Sequence, residues 1–242
     1  MAKKRIVILF AMQKEADPFI ELLNLEFKGT FDESLPMLRY EGAYERLELT
    51  VVTSGKDPNH GVDNVGTQPA AVSTLMAIQS YQLDLVINAG VAAGFANKGS
   101  KIGDIYFITE FKYHDRRIPS APWNAYGIGS YPAVEGSQLA SALDLKLSPV
   151  STGDSFDMTS MDEEMIMANQ AAVKEMEAAS IAWVASLYGK PVMALKVITD
   201  LVGVKGTNES QYNETFDRAV ESLKNKLVEM LDYIQLARIS IT

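Results

Sequence analysis

Lys174-Glu175-Met176-Glu177 leads into Ala178-Ala179-Ser180-Ile181-Ala182-Trp183-Val184-Ala185-Ser186-Leu187, then Tyr188-Gly189-Lys190-Pro191 and Val192-Met193-Ala194-Leu195-Lys196-Val197-Ile198-Thr199-Asp200. The first apolar segment is too poor in charge to be a surface helix, and the Gly/Pro pair stops it. The second run is continuous enough for a strand buried on both faces. Such an αβ unit puts Glu177 at the start of a buried helix and Asp200 at the carboxyl end of a buried strand. Open α/β sheets bind ligands at that edge, so two carboxylates are expected over one pocket.

Upstream, Arg5 to Met12 is apolar enough for a central strand, and Gln13-Lys14-Glu15-Ala16-Asp17 opens a helical pattern through Phe19, Ile20, Leu22 and Leu23. That corner carries Glu15 to the same sheet edge. Met37 to Glu41 and Leu47 to Val52 alternate as antiparallel strands do. Val65 to Ser80 is predicted helical, and Leu83 to Asn88 forms a buried strand ending in Ala89-Gly90-Val91-Ala92-Ala93-Gly94. The two glycines permit close approach of backbone to a ligand. Further strands are expected over Gly103 to Glu110 and Leu147 to Gly153. Phe216, Val220, Leu223, Leu227, Met230, Leu231 and Ile234 recur at helical spacing and specify an amphipathic last helix, with a frayed tail after Leu236.

The 242 residues are 47% hydrophobic, enough for one large α/β domain spanning 1–242, and no composition shift divides them. A net charge of −9 disfavours a nucleic-acid backbone or an anionic membrane as partner. Zero cysteines exclude thiolate chemistry and a disulfide framework, which fits a reducing, cytoplasmic setting. His60 and His114 are the only histidines and belong to no ligand cluster, so no metal is expected. Nor does the chain carry a Gly-x-Ser-x-Gly nucleophile turn, a P-loop or a dinucleotide fingerprint. Carboxylate chemistry at strand ends remains.

A charge among small apolar residues is costly without partners, which favours a functional Glu177. Glu175 is expected on a solvated face, His114-Asp115-Arg116-Arg117 in a surface salt-bridge cluster, and Lys56 as a loop cation. An acidic residue in Glu15's position is often only a helix cap. In an extended strand Lys196 and Asp200 share one side of the sheet, so Lys196 is expected to hold Asp200 or Glu15 in place.

Ala11-Met12-Gln13-Lys14-Glu15, Val86-Ile87-Asn88-Ala89-Gly90, Gly103-Asp104-Ile105, Tyr113-His114-Asp115, Ser151-Thr152-Gly153-Asp154, Glu175-Met176-Glu177-Ala178 and Ile198-Thr199-Asp200 together resemble the 5′-methylthioadenosine/S-adenosylhomocysteine nucleosidases of the nucleoside phosphorylase superfamily. They fall in that family's order from about residue 5 to 235, with phrases closer to its plant-type branch. The resemblance implies a three-layer αβα sandwich with a central mixed, twisted sheet. It also implies hydrolysis of the N-glycosidic bond of a 5′-thio-substituted adenosine, with no cofactor, in a homodimer. Carried over residue by residue, Glu15 activates water, Asp200 protonates adenine N7 and Glu177 takes the ribose hydroxyls beside Met176. Phe156 stacks on the purine, with Asp157 contributing its backbone, and Thr199 is counted among the substrate-binding residues. Met12, Phe156 and Met176 line the thioalkyl pocket, and Pro122 and Trp123 reach a neighbouring subunit's site. Val91 stands where many relatives have Ser or Thr, which removes a hydroxyl. Other readings of the same fold are a phosphorolytic nucleoside phosphorylase, an adenine-futalosine hydrolase and a non-catalytic storage protein. The phosphorylase is disfavoured because Gln13-Lys14-Glu15 offers a carboxylate where phosphate would need arginine.

Overall fold

The computed structural model describes residues 3–204 and 208–236. The tail after Leu236 therefore lies outside the described residues. Among the described residues, ten strands form one mixed sheet. They are β1 (Lys4–Phe10), β2 (Glu26–Thr30), β3 (Leu38–Tyr44), β4 (Leu47–Thr53), β5 (Leu85–Phe95), β6 (Ile105–Tyr113), β7 (Tyr131–Pro132), β8 (Lys146–Thr152), β9 (Val173–Glu175) and β10 (Val192–Val202).

β1 runs parallel to both β4 and β5, and β5 parallel to β10. Each contributes a run of buried residues, as strands covered on both faces must. β3 joins β4 antiparallel, as alternation had indicated. The path β10-β6-β8-β9-β5 then closes on itself, because β10 pairs with β5 as well as with β6. This curl brings the carboxyl-terminal half of β5, all of β9 and the end of β10 around one space.

The β5 strand is longer than its apolar core suggested: it continues past Asn88 to Phe95. Gly90 and Gly94 are strand residues within it. A Cβ on Gly90 would lie 2.8 Å from Glu15 Oε1, and one on Gly94 2.7 Å from the Ser100 Cβ. The close approach is thus to the protein's own side chains.

Helices cover both faces. Helices α1 (Gln13–Leu22), α4 (Ser137–Ala142) and α7 (Asn208–Gln235) enclose one core with Ile6, Ile8, Leu49, Ile87 and Leu195. On the other face α2 (Thr67–Ser80) and α6 (Ala178–Leu187) pack on Val7, Val52, Val86 and Ala194. Between these helices in sequence lie the short α3 (Trp123–Ile128) and α5 (Ser160–Ala168). α6 is buried almost throughout, and its small residues let it approach α2, where Ser180 Oγ donates to Thr67 O at 2.7 Å. α7 buries Val220, Leu223, Leu227, Met230, Leu231 and Ile234 along one stripe, each contributing about 1.5–3 kcal/mol of transfer free energy. No described helix is long and apolar enough to cross a membrane.

Candidate active site

Where β1, β5, β9 and β10 meet, a cavity of about 460 Å³ opens, in the size range of small-molecule sites. Glu15, Glu177 and Asp200 all line it, although 162 positions separate the first two (177 − 15). Met12, Val91, Phe156, Met176 and Thr199 line it as well. Asp157 is exposed and is not among the lining residues. Nor are Pro122 and Trp123, which begin α3; Trp123 is exposed and meets Tyr126 edge-on.

Glu15 sits in the first turn of α1, where Oε2 accepts the Met12 N–H at 3.0 Å. It is therefore a cap, but not only a cap. Its Oε1 crosses to β5 and accepts the Val91 N–H at 2.8 Å, over the bare Cα of Gly90. Burial raises its pKa, while the two N–H donors and Lys196 pull it back. The carboxylate is held in one orientation with a raised proton affinity, as a base for water requires.

Glu177 precedes α6, and its Oε1 accepts the Gly66 N–H at 2.8 Å. Burial, followed by the negative charge of Glu175, pushes its pKa up to about 7. This raised proton affinity opposes the ionised form, the one able to accept from hydroxyl groups with both oxygens.

Glu175 itself is buried, at 5% exposure, contrary to its expected solvated face. Its Oε2 meets Lys196 Nζ at 2.9 Å and accepts the N–H groups of Glu177 and Ala178 at 3.0 and 2.8 Å. Its Oε1 accepts the Thr152 hydroxyl. The charge of Lys196 first, then the Thr152 hydroxyl and the N–H donors at the start of α6, outweigh desolvation and hold its pKa below the usual range.

Of the two acids expected beside Lys196, Glu15 senses its charge, and only the pairing with Asp200 needs correction. Lys196 pairs laterally with Gly90 but Asp200 with Ala93, because β10 carries an irregularity between Ile198 and Asp200. Four residues on β10 thus match three on β5, the bulge reverses the alternation, and the two side chains leave opposite sides of the strand. Lys196 serves Glu175, and the cation acting on Asp200 is Lys174.

Asp200 is 3% exposed. Its Oδ1 accepts the Thr199 hydroxyl at 2.9 Å, whereas Oδ2 is buried without a partner. Desolvation raises its pKa, opposed by Thr199 and Lys174. A protonated carboxyl here presents a donor to whatever fills the cavity.

A model of the phosphorylase superfamily matches residues 5–232. A 5′-methylthioadenosine/S-adenosylhomocysteine nucleosidase of Arabidopsis thaliana is 39% identical over 231 residues, which cover 95% of this chain and 91% of that protein. The chain belongs to this nucleosidase family, within the phosphorylase superfamily. A 5′-methylthioadenosine nucleosidase of the same plant is 36% identical, over 95% of this chain and 86% of its own. The solved apo structure of an Arabidopsis 5′-methylthioadenosine nucleosidase superposes with a TM-score of 0.95 at 34% identity, covering 100% of this chain and 99% of that one.

Sequence reasoning missed part of this family member's cavity: Ala11, Val65, Ala92, Ala93, Lys174, Glu175, Glu209, Tyr212 and Asn213 also line it. Tyr212 donates to Met12 Sδ at 3.6 Å and meets Phe156 edge-on at 6.2 Å, so α7 walls the cavity from a third side. A polar aromatic near the start of an otherwise amphipathic helix was the available signal. The stretch from His114 to Arg117 is mostly not a salt-bridge cluster. His114 is buried, Asp115 accepts the Asp154 N–H, and Arg116 lies over the Tyr113 and Tyr126 rings. Only Arg117 forms an ion pair there, with Asp162.

Proposed function

We propose that the protein hydrolyses the N-glycosidic bond of 5′-methylthioadenosine and S-adenosylhomocysteine, releasing adenine and a 5-thio-substituted ribose. The observation that carries this reading is the convergence of Glu15, Glu177 and Asp200 on one cavity, with Asp200 Oδ2 buried and unpartnered. Adenine leaves poorly as an anion, and a carboxylic acid kept protonated by burial delivers the proton at N7. As the bond breaks, the ribose acquires oxocarbenium character. Glu15 takes a proton from water on the opposite face, in the manner of inverting glycosidases. Glu177 accepts the ribose hydroxyls, and its ionised form favours the developing cation. Met12, Met176 and Tyr212 offer a weakly polar wall to the thioether. The similarity to nucleosidases of Arabidopsis supports this substrate class.

Release of adenine from each thioether, followed with and without phosphate, tests the reading. Equal rates in both conditions are expected. Strict phosphate dependence would convert it to a phosphorylase, binding without release would leave a storage protein, and cleavage confined to a futalosine would move the substrate. The same reading includes a homodimer in the cytoplasm that returns the methylthio group to methionine. Exposed Trp123 and Tyr126 on α3 support the dimer, with Pro122 and Trp123 facing the neighbour's tail pocket.

A further inference from the structure

Lys174 is a buried charge at the cavity that the mechanism above does not use. Lys174 lies on β9 at 4% exposure and lines the cavity. Its backbone pairs with Ala93 of β5, and Ala93 pairs on its other side with Asp200 of β10. Laterally paired residues project to the same face, so Asp200, Ala93 and Lys174 form one row across three strands. Their outer Cα atoms are two strand spacings apart, roughly 9–10 Å. Ala93 is the middle member of this row, and a lysine side chain is long enough to span most of that gap. Lys174 Nζ also donates to the carbonyls of Ser155 and Phe156, at 2.7 and 3.0 Å. Phe156 is the aromatic residue on the cavity wall.

Resting on the hydrolase reading, we propose that Lys174 is a positioning residue for the protonation step: it anchors the Ser155–Phe156 backbone that walls the base and sets a positive charge beside Asp200.

The two effects oppose each other usefully. Desolvation at the end of β10 favours the protonated carboxyl, and the lysine limits that preference, so that the acid is able to release its proton to a purine nitrogen of modest basicity. The charged surroundings are all identifiable. Asp200 is faced by Lys174 from β9 and by Tyr212 from α7, with the Thr199 hydroxyl on its own strand. Lys174 is faced in turn by Asp157, by Asp162 of α5 and by Glu175, while Lys196 is committed to Glu175. His114, at the end of β6, senses Lys174 as well. Removing the lysine thus leaves Asp200 without its nearby cation.

The test uses three variants of the full chain, with the Asp200 carboxyl titrated by carbon-13 NMR and kcat and KM measured for 5′-methylthioadenosine. Lys174→Gln keeps a donor for the loop carbonyls and loses the charge, Lys174→Arg keeps both, and Lys174→Met loses both. The Asp200 midpoint is expected to rise by about one pH unit in the Gln and Met variants and to stay in place with Arg. The basic limb of kcat/KM should move with it. KM is expected to rise about tenfold in Lys174→Met, and less with Gln or Arg. A lysine that merely filled space would change stability and leave the midpoint alone. An Asp200 midpoint unchanged in both uncharged variants overturns the proposal. The NMR titration needs no turnover, so it decides the role of Lys174 even if the parent protein releases no adenine, an outcome that would count against the hydrolase reading alone.

Discussion

Asp200 and Glu177 are both buried carboxyl groups with raised pKa, yet they have opposite tasks. Asp200 is useful protonated, and Asp200→Asn keeps the shape and the Thr199 contact but has no acidic proton. In steady-state adenine release this variant should lose kcat by roughly 10²–10⁴-fold with KM within a few-fold; undiminished kcat would remove Asp200 as the acid. Glu177 is useful ionised, and its ionisation costs stability. Its folded pKa of about 7 lies above the ordinary 4.5, so the folded chain holds more protons than the unfolded chain between those values. Stability therefore falls as pH rises through that window, and the cost is complete above it. Glu177→Gln removes this dependence. In thermal unfolding the variant should be more stable than the parent by several degrees at pH 8, with the advantage vanishing near pH 5. Because the comparison is a difference, titration of His114, which burial shifts the other way, cancels. A constant gap across the range would mean that Glu177 ionises freely.

β9 and β10 are tied by the Glu175–Lys196 pair, each side chain 2% exposed, between strands that do not hydrogen-bond to each other along the sheet path. Breaking one partner leaves an uncompensated buried charge, so Lys196→Met should destabilise by about 3–5 kcal/mol in urea unfolding, and Glu175→Gln added to it should recover much of the loss. No recovery in the double variant would mean that lost packing, not the orphaned carboxylate, dominates. Little of this was legible in the chain. The αβ unit ending at Asp200 and the final helix were readable because long buried runs and helical spacing persist over many residues. β9 has only three residues, too few to carry an alternation, so nothing local distinguished buried Glu175 from a solvated neighbour. The irregularity before Asp200 likewise leaves no mark in composition, yet it decides which lysine faces which acid. Lys174 escaped notice for a related reason: its anchors are backbone carbonyls of Ser155 and Phe156, which no side-chain pattern announces. Glu15, Glu177 and Asp200 were legible because each stands at a junction between a buried segment and a turn, where an acid has to have a use or a partner.

Taken as a single copy, the chain leaves its cavity partly open: Phe156 is 52% exposed although it belongs to the cavity wall. A purine stacked there would remain wet on one side, and water would weaken the electrostatic contrast on which Asp200 and Glu177 depend. Val65, also on the wall, is 43% exposed, and Trp123 and Tyr126 of α3 are 56% and 52% exposed. Large apolar side chains in these positions are the kind that association covers. In a closed two-fold dimer each copy would offer the same surface to the other, so one contact would finish two sites. Light scattering should then report a mass twice the 26.6 kDa of the chain at assay concentrations. Trp123→Glu should shift the population toward single chains and raise KM for 5′-methylthioadenosine, while Tm stays near that of the parent because the side chain supports little of its own fold. KM should rise in parallel when the parent is diluted below its dissociation constant. A protein that remains 26.6 kDa in mass while binding substrate with unchanged KM would show that Phe156 works half-exposed and that the site is complete within one chain.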